Sequence, residues 1–470
     1  MESPQSQSPR VDVLGTAPVR KLYLRMSLPI VISMVVNGSY NLVDAAFVTR
    51  GVGPLAMGGV AMAFPLHMLM YSTGAMIGNG AASILARMLG AKKLGTANAA
   101  ALTAILMAVL LGILIGAVGL GFLDPILRAF GASAELLPYG RDFLTPLLWG
   151  APVVLLATVF AELLRAEGKA GAMSSILMLS TVSNMVLAAL FVFVLKSGVK
   201  GVACATLIAQ SLGLVVAASL YLRGRTVVKP TQPAGSINPG LASSLLALGF
   251  PAFIGNGGIA LMIALANKAL ANYGGPGADL LISSYGVVSR VSAFIQLPLI
   301  GMMIGYQTIA GYNYGAQRPE RVLQMVRIGL ATATLYTVVC SLLMVLIPAT
   351  LLRVFTADPR LVEQGAAISR ILFLGLGLSG VSIMGGALFQ ALGKAKTAMF
   401  LSLVKVFLVL APLLLVLPAR VGVTGVWYAF PIADVTVFLV VSFFLSRQYL
   451  AIRKVSGDIG LTAQAGTATR

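Results

Sequence analysis

Apolar runs of about 20 residues recur from one end of this 470-residue chain to the other. They leave few ways for it to fold. Each run can cross a hydrocarbon core of about 30 Å. In lipid a spanning segment must satisfy its own backbone hydrogen bonds, which allows helices or closed barrels. Barrel strands alternate polar and apolar residues over about 10 positions. These runs do not alternate, so they read as helices, with approximate spans 27–49, 54–86, 97–122, 140–164, 172–195, 201–222, 246–272, 280–311, 325–352, 365–391, 398–418 and 425–448. The expected fold is an all-α integral membrane protein with twelve transmembrane helices. A charged fraction of 10% agrees, because soluble domains average roughly 25%.

Charge sets the orientation. A formal net charge of +19 in a soluble chain would suggest nucleic acid. Here Lys and Arg fall mostly in the short polar segments between spans, so no nucleic-acid partner is expected. One set of segments carries Arg10, Arg20, Lys21, Arg25, Lys92, Lys93, Arg165, Lys169, Arg223, Arg225, Lys229, Arg318, Arg321, Lys394, Lys396, Arg447, Arg453 and Lys454. The opposite set holds fewer, among them Arg50, Arg128, Lys196, Lys200, Arg353 and Arg420. The positive-inside rule then places both termini in the cytoplasm, and an even span count agrees. The polar start, Met1 to Lys21, shows no cleavable signal peptide.

The chain repeats itself. Gly198-Val199-Lys200-Gly201-Val202 recurs as Gly422-Val423-Thr424-Gly425-Val426, and each copy continues to an Ile-Ala pair, Ile208-Ala209 and Ile432-Ala433. Gly168-Lys169-Ala170 recurs as Gly393-Lys394-Ala395, and Gly74 to Gly78 recurs as Gly301 to Gly305. Pro29 is echoed by Pro251. Subtracting positions gives 224, 225, 227 and 222, about half the chain. With six spans per half the copies share one orientation, a parallel repeat about an axis near the membrane normal. The expected organisation is a cytoplasmic tail at 1–24, a first six-helix lobe at 25–222, a cytoplasmic linker at 223–245, a second lobe at 246–448 and a cytoplasmic tail at 449–470.

An ionisable group inside a membrane is costly and marks function. Asp44 stands in span one, where Ser33, Asn37, Tyr40 and Asp44 share one helical stripe. Pro29 lies on the same stripe, where it can kink the helix. Away from water Asp44 becomes a carrier that can take up and return a proton; the alternative is an Asp that bonds two helices together. Asn184 in span five and Thr206 in span six are either site residues or ordinary interhelical hydrogen-bond partners. Asp434 lies deep in span twelve, as a secondary coupling candidate or as the partner of Lys405. Glu162, near the cytoplasmic end of span four, is expected to snorkel or to pair with Arg165. In span eight Tyr285, Ser289, Ser292 and Gln296 form a second polar stripe, and Gln307 follows; these are candidates to line a substrate cavity. His67, the single histidine, reads as packed rather than as a proton relay. Met57, Met62, Met68, Met70, Met76, Met302 and Met303 suit an adaptable surface. Cys204 and Cys340 read as unpaired packing residues. No metal-ligand cluster or Ser-His-Asp pattern is visible, so no metal, no cofactor and no enzymatic activity are expected.

Pro29 followed by Tyr40-Asn41-Leu42-Val43-Asp44-Ala45-Ala46-Phe47-Val48, then Ala86 to Ala91, Gly168, Asn184, Gly201 and Gly305 to Ala316, resembles the multidrug and toxic compound extrusion (MATE) family over roughly residues 25–450. An Asp in span one with no acidic partner in span seven is similar to the branch named for the DNA-damage-inducible protein F. The resemblance implies two six-helix lobes and antiport of organic cations or other amphiphiles against H⁺ or Na⁺, in a monomer of a bacterial or archaeal cytoplasmic membrane. Pro29, Tyr40, Asp44, Asn184 and Thr206 match a cation site in the first lobe. Ala188 departs from the pattern, since an Asp is common there. The loss of a carboxylate weakens a Na⁺ site at Asp44, Asn184 and Thr206 and favours H⁺. Three rivals remain: a flippase for lipid-linked precursors, which would want a strongly cationic cavity; a membrane-embedded enzyme; and a passive channel. Apart from Lys268, Arg290 and Lys405 the spans are nearly free of cations, which argues against the flippase.

Overall fold

The structure is a computed structural model that describes residues 9–130, 133–230, 239–356 and 358–468. Residues 1–8 of the expected first tail, 231–238 of the linker and 469–470 of the last tail lie outside the described residues. All regular elements among the described residues are helices. Ten are long and apolar enough to cross a membrane, and a bent pair makes an eleventh crossing. Helix α2, Val19–Gly51, has 33 residues. At 1.5 Å per residue it spans about 50 Å, long enough for the twelfth.

Two compact units divide the chain. One is Leu28–Phe253 with the short segment ending at Thr16; the other is Ala17–Ser27 with the chain from Ile254 onward. The divisions fall inside α2 and inside α10 (Pro239–Tyr273) rather than in the connections.

The first unit holds α1 (Pro9–Thr16), most of α2, α3 (Pro54–Gly90), α4 (Leu94–Gly121), α5 (Leu123–Ala129), α6 (Leu137–Trp149), α7 (Ala151–Ala166), α8 (Ala170–Ala189), α9 (Gly198–Leu222) and the start of α10. Helix α4 shows how these helices pack. Ala97, Ala101, Ala104, Ala108, Gly112, Gly116 and Gly119 form a buried stripe of small residues. A Cβ at Gly112 would lie 2.5 Å from the Pro152 backbone, and one at Gly116 would lie 2.6 Å from the Leu148 carbonyl oxygen. Small residues permit this approach, and in lipid close packing replaces the hydrophobic drive between helices.

The fourth span is not the single straight helix expected at 140–164. Helices α6 and α7 meet at Gly150 and bend by 59°. Pro152 cannot donate a backbone hydrogen bond, so the ladder breaks there. Helix α2 is unbroken through Pro29. It begins at Val19 rather than near residue 25, and residues 9–16 of the expected tail are helical.

The second unit holds the rest of α10, α11 (Ala278–Gly315), α12 (Pro319–Leu346), α13 (Pro348–Leu352), α14 (Pro359–Leu372), α15 (Leu376–Ala391), α16 (Ala395–Leu403), α17 (Ala411–Val421) and α18 (Thr424–Ala468). A stretch of π-helix, Val404–Leu410, joins α16 to α17. Helix α18 runs well past residue 448, into the expected tail.

The duplication is written in the backbone. Among the described residues, the positive-φ residues other than Lys196 and Gly224 fall in pairs: Gly53 with Gly275, Lys92 with Gln317, Gly168 with Gly393, and Gly198 with Gly422. Each pair ends or begins the same helix of its repeat, at the offsets read from the sequence. Glycine suits these places because a positive φ costs it nothing.

Candidate functional site

A cavity of about 240 Å³ lies within the first unit. Helix α2 supplies Met34, Asn37 and Tyr40, and α3 supplies Phe64, His67, Met68 and Tyr71. Helix α7 brings Glu162, α8 brings Ser180, Thr181 and Asn184, and α9 brings Thr206 and Gln210. Most of the wall is apolar. Its polar groups form one band, because α2, α8 and α9 each turn a polar face inward at helical spacing.

Hydrogen bonds order this band. The Asn37 amide donates to the Thr181 hydroxyl at 3.3 Å. The Asn184 amide donates to the Thr206 hydroxyl at 2.9 Å, and Thr206 donates onward to the Val202 carbonyl at 3.1 Å. This chain uses donors and leaves acceptors over. Asn184 Oδ1 and Gln210 Oε1 are buried with no hydrogen-bond partner among the described residues, and so is Asp44 Oδ1. An unpaired buried acceptor costs about 1–3 kcal/mol. Two of these, on Asn184 and Gln210, lie on the cavity wall, where they can accept from a donor group of a ligand.

The expected site residues divide as follows. Asn37, Tyr40, Asn184 and Thr206 are brought together on the wall. Asp44 lies one helical turn beyond Tyr40 along α2, outside the wall itself. Ser33 is buried and donates to the Ile30 carbonyl at 2.9 Å. Pro29 and Ser33 are not on the wall. Thr181, Ser180 and Gln210 were missed in the sequence. Ser180 precedes Asn184 by four residues and Gln210 follows Thr206 by four, so both signals were there to read. Glu162 pairs with Arg165 as expected, through Nε at 2.7 Å, and also reaches the cavity. His67 lies edge-on to Phe143 at 6.0 Å and also lines the cavity.

The span-eight stripe falls in the second unit and is mixed. Tyr285 is a core residue, 5.9 Å from Trp427 and 6.1 Å from Phe430 between ring centres. Its apolar ring found better partners in α18 than a cavity would offer. Ser289, Ser292 and Gln296 are half-buried. Gln307 is buried and donates to Gln390. Asp434 pairs with Lys405 at 3.0 Å.

The repeat provides an internal comparison. With the offset of span one, Tyr40 and Asp44 correspond to Met262 and Ala266. With the offsets of spans five and six, Asn184 and Thr206 correspond to Val409 and Phe430. All four counterparts belong to, or pack against, the apolar core of the second unit. The fold therefore closes well with apolar residues at these places, and the polar set of the first unit answers a different demand.

A duplicated bundle of spanning helices, with a polar band inside one half, is the architecture of a membrane transporter. The chain belongs to the MatE family, which it matches over residues 29–190 and 251–416, one segment in each half. Members of that family are transporters, and the chain is accordingly a transporter and not an enzyme. It is 25% identical over 419 residues to the multidrug export protein MepA of Staphylococcus aureus strain MRSA252, covering 89% of this chain and 91% of that one. The MepA of Staphylococcus haemolyticus is 26% identical over 443 residues, covering 93% and 96%. Among solved structures, a MATE crystal structure in the bent conformation matches with a TM-score of 0.88 at 23% identity, covering 96% of this chain and 100% of that chain. A MATE crystal structure in the straight conformation matches with the same score at 24% identity, with the same coverage.

Proposed function

We propose that the chain is a multidrug exporter that uses the inward flow of protons to drive amphiphilic organic cations out of the cell. Its place is a bacterial or archaeal cytoplasmic membrane, with both termini in the cytoplasm. The observation that carries this reading is the polar set of the first unit, whose counterparts in the second are core residues. The multidrug export proteins with which the chain aligns support the substrate class.

The chemistry follows from the groups present. The cavity wall carries aromatic rings, methionines and left-over acceptor oxygens, and among the described residues no Lys or Arg lines it. Such a wall receives a flat or bulky cation through ring faces, soft thioethers and carbonyl oxygens. It offers nothing to a pyrophosphate, which wants cationic donors. Asp44 has a buried oxygen with no partner among the described residues. Ionised, it is an anion in a dry setting and favours a nearby cation. Protonated, it is neutral and releases that attraction. Binding of a proton and binding of a cationic substrate therefore exclude each other, which is the requirement for antiport.

Protons fit better than Na⁺. A Na⁺ site needs several oxygen ligands. The fully buried Ala188 follows Asn184 by one turn and supplies none. The Asn184 amide already donates to Thr206. Each proton contributes about 2.3 kcal/mol per 100 mV and about 1.4 kcal/mol per unit of pH difference.

The test is dye efflux from proteoliposomes under an imposed proton gradient, with Na⁺ absent and then present, for the natural protein and Asp44→Asn. Transport on protons alone, lost in a folded Asp44→Asn, is the expected result. Transport that needs Na⁺ overturns the ion assignment. Normal transport by Asp44→Asn overturns the role of Asp44.

A further inference from the structure

Lys405 and Asp434 form a charge pair at 3.0 Å, with the Asp434 side chain 13% exposed and Lys405 38% exposed. Each lies about ten residues into an apolar span, Ala395–Val421 and Thr424–Ser456. A charge at that depth faces a bundle interior or water, not hydrocarbon. The open side of Lys405 is therefore a wet surface of the second unit.

Three features set this pair apart from a simple brace. First, Lys405 lies in the π-helical stretch Val404–Leu410. A wide turn inside an α-helix costs regular hydrogen bonding and is frequent at functional sites. Second, Asp434 is seated against glycine. A Cβ at Gly375 would lie 2.7 Å from the Asp434 Cβ and 2.9 Å from its Oδ2, so α18 approaches closely there and the carboxylate is held in place. Third, the repeat says which face this is. At the offset of 225, Lys405 corresponds to Ser180, and at 224, Asp434 corresponds to Gln210. Ser180 and Gln210 both line the cavity of the first unit. The pair thus stands at positions that, in the other copy of the fold, face a ligand-sized space.

We propose that Lys405 and Asp434 form a second cation-binding site that the protein occupies with its own ammonium. Asp434 is the ligand-binding carboxylate, and Lys405 is a tethered competitor. An organic cation displaces the Lys405 ammonium, which moves to its wet side. A lipophilic monocation gains most, because it gives up less hydration than a small ion on leaving water. A neutral compound has nothing to exchange. The site thereby selects charge at the second lobe, a task distinct from the proton chemistry at Asp44. The use of the site in export rests on the function proposed above, but binding to it does not.

The experiment is equilibrium binding of tetraphenylphosphonium to the purified full-length protein, with a neutral triphenyl compound as control. Lys405→Met removes the competitor. It is expected to tighten tetraphenylphosphonium binding by about two- to fivefold, the scale of a partly exposed ion pair, and to leave the neutral control unchanged. Adding Asp434→Asn to Lys405→Met is expected to abolish the gain. Unchanged affinity in Lys405→Met overturns the proposal, as does a gain that survives Asp434→Asn. If Lys405→Met does not fold, Lys405→Gln serves, with the same outcomes. A loss of thermal stability with no gain in affinity would make the pair a brace, which also overturns it. No gradient is used, so failure of proton-driven export and failure of this site are read separately.

Discussion

Helices α3 and α10 touch through glycine within the first unit, and this contact permits a sharp test. A Cβ built on Gly249 would lie 1.7 Å from the Met76 carbonyl oxygen, and one on Gly80 would lie 1.9 Å from the Leu245 carbonyl oxygen. The two contacts are reciprocal: Met76 and Gly80 are one turn apart on α3, and Leu245 and Gly249 are one turn apart on α10. Ordinary contact begins at 3.4 Å, so one added methyl requires the backbones to separate by 1.7 Å at Gly249. Neither obstacle is a flexible side chain that could swing away. Overpacking of this kind costs about 1–3 kcal/mol, and more where backbone must move. Gly286 on α11 is the control, since a Cβ there meets nothing within 4 Å. Gly286→Ala is expected to stabilise slightly, by about 0.5–1 kcal/mol of helix propensity. Thermal unfolding of detergent-purified protein reads the difference, at roughly 2–4 °C per kcal/mol. Gly249→Ala and Gly80→Ala are each expected to melt several degrees below the natural protein. The double variant should lose less than both losses together, because helices already parted by one methyl have room for the second. Should Gly249→Ala melt like Gly286→Ala, the close crossing of α3 and α10 is wrong.

Other predictions follow from the same geometry. Asn184→Val removes the donor to Thr206, yet copies the residue type that the second lobe carries at the equivalent place. It is expected to fold with an unchanged melting temperature and to lose transport, and a large drop in stability would contradict the comparison between the lobes. Ala188→Asp returns a carboxylate one turn beyond Asn184. Efflux measured with and without Na⁺ is expected to become Na⁺-responsive, and indifference to Na⁺ would count against the argument from Ala188. Glu167 accepts from the amides of Val227 and Val228 at 3.0 and 3.3 Å and pairs with Lys169 at 3.3 Å. Glu167→Ala leaves those amides unpaired at about 1–3 kcal/mol each. Limited trypsin digestion is expected to cut faster at Arg223 or Arg225, and an unchanged cleavage rate would show that Glu167 does not hold this segment.

What the sequence revealed depended on whether the signal was a period or a single residue. The spans were legible because each is a long apolar run that lipid requires. The bend at Gly150 was not, since hydrophobicity records which atoms meet lipid and not where the backbone ladder breaks. The stripe on α2 was legible as a period, and Asn37 and Tyr40 do reach one cavity. The same reasoning placed Tyr285 on a cavity wall, but a tyrosine is mostly ring, and its ring joined Trp427 and Phe430. Gln210 lay within reach of the period, four residues after Thr206. Thr181 is off the four-residue step that links Ser180 to Asn184, and only its partner Asn37 on another helix reveals its role.

The duplication answers a question that neither a single span nor a single lobe can. Polar residues in membrane helices serve packing as often as function, and a hydrogen bond such as Asn184 to Thr206 is consistent with both. The second copy of the fold closes over Met262, Ala266, Val409 and Phe430 with no polar group at those four positions. Packing alone therefore does not require Tyr40, Asp44, Asn184 and Thr206. For Asp44 and Asn184 the cost is visible in acceptors without partners among the described residues. The second lobe diverged differently. It turned the site's centre into core and, where the first lobe has Ser180 and Gln210, placed a lysine against an aspartate. The two copies of the fold thus carry different polar sets at equivalent places, uncharged at Ser180 and Gln210 and charged at Lys405 and Asp434.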